Sequence, residues 1–242
     1  MRITVLGCSG GVGPELRTTS LLINDDILID AGTGVCDLSL EQMGRITDAF
    51  ITHSHLDHVC GLAFMADNMF DLIDRSLRVH ATADTLETLR THLFNWKLWP
   101  DFSRLPDVKN PLITWHEVRV GEANRLNGGH TLTAFKVLHT VPAVGYALEG
   151  KAGTFAFSGD TYATDDLWNA LNALARLDHL MIEIAFTNDE DELARVSRHF
   201  TPALLGRELK KLKHRPKLYL THHKPGCELD IEKTCRKALA GY

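Results

Sequence analysis

Three imidazoles and a carboxylate fall within six residues at His53-Ser54-His55-Leu56-Asp57-His58, directly after the apolar, strand-like run Ala49-Phe50-Ile51-Thr52. Unpaired His and Asp are poorly tolerated at a buried strand end, so solvated loop histidines are the weaker explanation. A mixture of imidazole nitrogen and carboxylate oxygen is what borderline metals such as zinc prefer. His53 and His55 are two apart, so on an extended strand end they point the same way, and a turn at Leu56 brings Asp57 and His58 to a neighbouring position. One segment can therefore feed two ions.

Each ion would still lack ligands. Three later positions have suitable chemistry at the end of an expected strand: His139 after Ala134 to Leu138, Asp160 after Thr154 to Phe157, and His222 after Leu218 to Leu220. Taken singly, each has an ordinary explanation as a turn or strand-end residue. Taken with the first segment, seven ligands make two metal shells with one shared carboxylate.

The elements that must position these residues are legible as short apolar runs between turn-formers. Strands are expected at Ile3 to Leu6, Ser20 to Ile23, Ile27 to Ile29 and Ala49 to Thr52, then helices at His58 to Leu72 and Thr82 to Trp96. A second series follows: strands at Leu112 to Val118, Thr131 to Leu138, Val144 to Leu148 and Thr154 to Phe157, and a helix at Thr164 to Leu177. The strand Leu180 to Ile184, helices at Asp189 to His199 and Pro202 to His214, and the strand Lys217 to Leu220 complete it. Repetition of strands followed by helices implies an α/β fold of four layers, an αββα sandwich, as a single domain over 1–242. The Pro-rich stretch from Trp99 to Pro111 is expected as a loop. The run Gly7 to Gly13 lacks a nucleotide-loop ending and is expected as a tight turn.

Of 242 residues, 44% are hydrophobic and 24% charged, enough for a substantial core. A net charge of -5 gives no general attraction to nucleic acid or anionic membrane. The start at Met1 enters a strand pattern with no leader-like segment, and no apolar run approaches a membrane span, so a cytoplasmic location without membrane association is expected. Five cysteines with no Cys-x-x-Cys pair are expected as reduced thiols, and Cys60 as a packed residue rather than a ligand.

The order His-x-His-x-Asp-His, a later His, Gly-Asp-Thr and a final strand-end His resembles the metallo-β-lactamase superfamily over nearly the whole chain. The resemblance implies one metal held by His53, His55 and His139, a second by Asp57, His58 and His222, and Asp160 bridging. His55 to Leu62, His139 with Pro142 and Gly145-Tyr146, Ile182 to Phe186, His199 to Pro202, and Thr221 to Pro225 are similar to class II cyclic-nucleotide phosphodiesterases and to tRNA 3′-processing endonucleases. Those endonucleases usually carry a basic arm between the positions of His139 and Asp160, where this chain has only twenty residues. A small phosphodiester, with a 3′,5′-cyclic nucleotide foremost, is therefore the expected substrate, ahead of nucleic acid. One departure is Phe64 to Asp67, which lacks the Ser found there in many of the cyclic-nucleotide enzymes.

Two divalent ions, zinc first with manganese or iron as alternatives, would hold a bridging water, lower its pKa and clamp an in-line displacement at phosphorus. Asp57 is expected to orient or deprotonate the nucleophile as well as bind metal, and His199, by the resemblance, to reach the phosphate or protonate the leaving alkoxide. Glu183 is a candidate to fix a neighbouring imidazole, and Tyr146, His223 and Lys224 are candidates for substrate contact. Hydrolysis of a lactone, thioester or RNA on the same metals is the enzymatic alternative. A di-iron redox or sensor protein is the non-enzymatic one, and a homodimer is compatible with the chain.

Overall fold

A computed structural model describes residues 1–242. The chain forms two compact units, one of residues 1–8 and 12–118, the other of residues 9–11 and 119–242.

In the first unit, β1 (Ile3–Gly7), β2 (Ser20–Ile23), β3 (Ile27–Ile29), β4 (Asp48–Phe50), β5 (Leu77–Ala81) and β6 (Ile113–Glu117) lie in one sheet in that order. The first three pair antiparallel and β3 to β6 pair parallel. Its helices are α1 (Leu40–Met43), α2 (Leu56–Met69) and α3 (Ala83–Thr88). The apolar side of α2, including Leu62, Met65, Ala66 and Met69, is buried with Leu28, Ala49, Val79 and Ile113 of the strands and with Ile51 just after β4. That burial is the main force fixing the helix against the sheet.

The second unit carries β7 (Ala123–Arg125), β8 (Thr131–Lys136), β9 (Val144–Gly150), β10 (Gly153–Phe157), β11 (His179–Glu183) and β12 (Lys217–Thr221). They form one sheet ordered β12-β11-β10-β9-β8-β7, antiparallel from β7 to β10 and parallel from β10 to β12. Its helices are α4 (Asp165–Ala173), α5 (Asp191–Ser197), α6 (Pro202–Glu208) and α7 (Glu228–Ala238). Leu167, Trp168 and Leu171 of α4 pack with Leu180, Ile182, Leu205, Ile231 and Cys235 in one core, and the Trp168 indole N–H donates to Glu208 at 2.7 Å.

Several boundaries differ from those expected. β4 stops at Phe50 because the Thr52 N–H is taken by the Asp30 carboxylate at 2.7 Å instead of a ladder partner. α2 begins at Leu56 with His55 as its N-cap, so Asp57 and His58 occupy its first turn. The helix expected over Thr82 to Trp96 is α3 followed by a π turn at Leu89–Leu93, and Trp96 lies beyond it at φ 66°. Strands β5 and β7 and helices α1 and α7 were not anticipated. No helix is long and apolar enough to cross a membrane, and all five cysteines are free thiols.

Candidate metal centre

In the first unit, a buried carboxylate organises the histidine segment. Asp30, fully buried just after β3, accepts from the Thr52 amide at 2.7 Å, the Thr52 hydroxyl at 2.9 Å and His58 Nδ1 at 2.8 Å. Burial pushes this carboxyl up; the charge and hydrogen bond of His58 and the two Thr52 bonds oppose that. A proton held on His58 Nδ1 leaves Nε2 as the lone-pair nitrogen, the tautomer a metal ligand needs. His53 Nδ1 lies 3.0 Å from the Thr52 hydroxyl, and His53 Nε2 lies 3.0 Å from His55 Nδ1. Asp57 Oδ2 is 3.8 Å from His58 Nε2.

The backbone holds this half in place. The Asp30 amide donates to the Phe50 carbonyl at 2.9 Å, and the Ala31 amide donates to the His58 carbonyl at 2.8 Å. Gly61 lets α2 close on this loop: a Cβ there would lie 2.2 Å from the Gly32 carbonyl oxygen. Asp57 gains from sitting at the positive end of the fourteen-residue helix.

In the second unit, one oxygen of Asp160 faces two imidazoles. Asp160 Oδ2 lies 3.1 Å from His222 Nε2 and 3.9 Å from His139 Nε2, and all three side chains are almost completely buried. Both ring nitrogens therefore converge on one carboxylate oxygen, as a shared ligand requires. His139 Nδ1 is 3.3 Å from the Arg198 carbonyl, and the Arg198 guanidinium donates back to the His139 carbonyl.

His199 stands beside this group, stacked on His222 with centroids 5.2 Å apart and edge-on to His139 at 5.0 Å. Its Nδ1 bonds the fully buried Glu183 carboxylate at 2.9 Å. Glu183 also accepts the Thr161 and Phe200 amides, at 3.0 and 3.3 Å, but burial outweighs these and the imidazole and pushes its carboxyl up. Burial would lower the His199 pKa, but the Glu183 charge and hydrogen bond outweigh it and hold the imidazole above its usual range.

The glycine-rich run takes neither a phosphate-loop form nor an idle one. The Gly10 amide donates to the His223 carbonyl at 2.9 Å, and a Cβ on Gly10 would lie 2.5 Å from the His222 carbonyl oxygen. The turn thus packs directly on the backbone that carries His222. Lys224 Nζ donates to the Gly10 carbonyl at 2.9 Å, a structural use of a residue considered for substrate contact. Tyr146 is fully buried in β9, and burial pushes the imidazole of half-buried His223 down.

Asp30 and Arg198 are the two participants that sequence reasoning missed. Asp30 left a faint signal, an acid placed immediately after the fully apolar Ile27-Leu28-Ile29. Arg198 left none, because it acts through its backbone carbonyl and a bond to another backbone group.

The chain matches the Beta-lactamase superfamily domain over residues 25–223. It is 29% identical to a probable 3′,5′-cyclic-nucleotide phosphodiesterase of Yersinia pestis, over 87% of this chain and 71% of that protein. It is 28% identical to a ribonuclease Z of Haloarcula marismortui, over 62% of this chain and 47% of that protein. Among solved structures it resembles unliganded yeast PDE1, with a TM-score of 0.81, 18% identity and coverage of 99% and 93% of the two chains. The metallo-beta-lactamase fold protein YhfI of Bacillus subtilis gives a TM-score of 0.77 at 18% identity, covering 98% and 92%. The fold class expected from the sequence is that of these neighbours. With the family match spanning most of the chain and a His/Asp donor set suited to divalent ions, the protein belongs to the β-lactamase superfamily and is a metallo-hydrolase.

Proposed function

We propose that the protein is a phosphodiesterase that hydrolyses a small diester, a 3′,5′-cyclic nucleotide foremost, at a centre of two divalent ions. The observation that carries the metal reading is Asp160 Oδ2 facing the Nε2 atoms of both His139 and His222. Following the family pattern, we assign one ion to His53, His55 and His139, the other to Asp57, His58 and His222, and Asp160 to both. Imidazole and carboxylate in this ratio fit zinc, with manganese or iron as alternatives. With this reading goes that of the chain as a single hydrolase domain, which we place in the cytoplasm.

The ions, when bound, supply charge neutralisation at the phosphate and a nucleophile at neutral pH. Asp57, at the head of α2, orients the attacking water and accepts its proton. His199 Nε2 carries a proton to the leaving alkoxide; Glu183 on Nδ1 orients the ring and holds the imidazole pKa above its usual range.

The choice of a small diester is supported by the cyclic-nucleotide phosphodiesterase relative aligned over most of the chain. It is also supported by the segment between His139 and Asp160, which is largely the β9–β10 hairpin with only two residues between its strands. RNA is the second reading, favoured by the ribonuclease Z relatives. A panel of 3′,5′-cyclic AMP, a linear diester, a tRNA precursor, a lactone and a thioester, run with zinc, manganese and iron, decides among them. Hydrolysis of cyclic AMP, lost on chelation and in Asp160→Ala, is the expected result. Inactivity on every diester by protein carrying its full metal would overturn the proposal.

A further inference from the structure

The helix that supplies Asp57 and His58 also bears an exposed aromatic on the same stripe. Asp57 and Phe64 are seven residues apart in α2, two turns on one line, and Phe64 is 50% exposed. Seven residues of helix rise about 10 Å, and both side chains lean over the turn before their own Cα, so the Phe64 ring stays about 10 Å from the level of Asp57 along the axis. Burial of an isolated phenyl ring elsewhere in the core would have been the cheaper arrangement.

Phe64 is not alone there. The Trp99 indole meets its ring edge-on with centroids 5.5 Å apart. Trp99 closes a tight loop in which the Trp96 amide donates to the Trp99 carbonyl at 2.9 Å, while Asn95 Oδ1 accepts the Lys97 and Leu98 amides at 3.0 and 2.8 Å. The same loop holds Trp96 at φ 66°, a conformation costly for a bulky residue, and leaves it 55% exposed. A strained backbone kept by local hydrogen bonds in order to present an aromatic to solvent is a recurrent mark of a ligand-facing segment.

We propose that Phe64 and Trp99, flanked by Trp96, form the platform on which the base of a nucleotide substrate stacks. This rests on the phosphodiesterase reading, which places the phosphate at Asp57 and its companion ligands. The separation of Phe64 from Asp57 along α2 suits the span of one ribose between phosphate and base. Stacking on aromatic faces tolerates any base, so the platform favours nucleotides over base-free diesters without selecting adenine over guanine.

The test has a binding arm and a turnover arm. Tryptophan fluorescence of the metal-loaded full chain is titrated with 5′-AMP and with ribose 5-phosphate, in wild type, Phe64→Ala and Phe64→Tyr. Wild type should bind 5′-AMP about 5- to 150-fold more tightly than ribose 5-phosphate, the range that stacking one base is worth. Phe64→Ala should erase that preference and Phe64→Tyr should keep it. In turnover, Phe64→Ala should raise KM for 3′,5′-cyclic AMP by a similar factor with kcat unchanged, and leave the base-free methyl riboside cyclic phosphate unaffected. Equal binding of the two ligands by wild type, or a preference that survives Phe64→Ala, overturns the platform. If wild type hydrolyses neither cyclic diester, the phosphodiesterase reading fails, and the fluorescence titration still decides the platform.

Discussion

Glu183 at the end of β11 and His199 beyond α5 form a buried pair, 2.9 Å from carboxylate oxygen to Nδ1. Burial pushes the Glu183 carboxyl up, opposed by the His199 imidazole and the Thr161 amide, and the Glu183 charge in turn raises the imidazole pKa. Glu183→Gln keeps the shape and removes the charge. The His199 pKa should then fall, because burial is no longer opposed by an anion. If His199 supplies a proton to the leaving group, the basic limb of the kcat profile moves to lower pH. A pH-rate profile, paired with histidine NMR titration, reads this shift; an unchanged profile would remove His199 from proton transfer.

Asp30 presents the same logic on the other side of the donor set. It takes both Thr52 donors and His58 Nδ1, so Asp30→Ala leaves three buried donors without an acceptor. Loss of a buried charged partner costs about 3–5 kcal/mol, and loss of a carboxylate behind a metal-binding imidazole lowers metal affinity about 10- to 100-fold. Urea unfolding measures the first and competitive metal titration the second. Asp30→Asn, which retains the volume and one acceptor, should lose less stability yet still bind metal more weakly.

The histidine segment was legible because its ligands are contiguous and follow a recognisable apolar strand; His139, Asp160 and His222 were legible because each ends one. Asp30 was not, since its role depends on residues 22 and 28 positions away that the fold returns to it. Helix α7 escaped notice because only Ile231 and Cys235 of its eleven residues are buried, too few to mark an apolar stripe. Strand β5 escaped because it is only five residues long, although Leu77, Val79 and Ala81 alternate with Arg78 and His80, which meet Asp48 of β4.

Gly61 tests how tightly the metal-bearing helix is seated. By intrinsic propensity alone, Gly61→Ala in the middle of α2 would stabilise the helix by about 1 kcal/mol. The added Cβ would instead lie 2.2 Å from the Gly32 carbonyl oxygen and 2.4 Å from Val35 Cγ2. A backbone carbonyl has little freedom to retreat, so overpacking prevails and the variant should be roughly 1–3 kcal/mol less stable than wild type. Equal or greater stability in urea unfolding would show that the loop at Ala31 to Val35 yields.

Asp48 gives a prediction in pH. Burial would push its carboxyl up, but hydrogen bonds from His80, Arg78 and Thr47, together with the Arg78 charge, outweigh burial and hold it well below the usual carboxylate range. A depressed folded pKa contributes stability that is present above the unfolded value of about 3.9 and is lost as pH falls through the folded value. Arg78 is half exposed, which discounts its share of the pair. Asp48→Asn should therefore cost roughly 1–3 kcal/mol at neutral pH, mostly from donors left without a charged acceptor. The gap between variant and wild type should narrow as pH falls well below 3.9, where the carboxylate begins to protonate. Urea unfolding curves of both proteins at neutral and acidic pH measure the gap directly, and a pH-independent difference would mean that Asp48 acts through packing rather than charge.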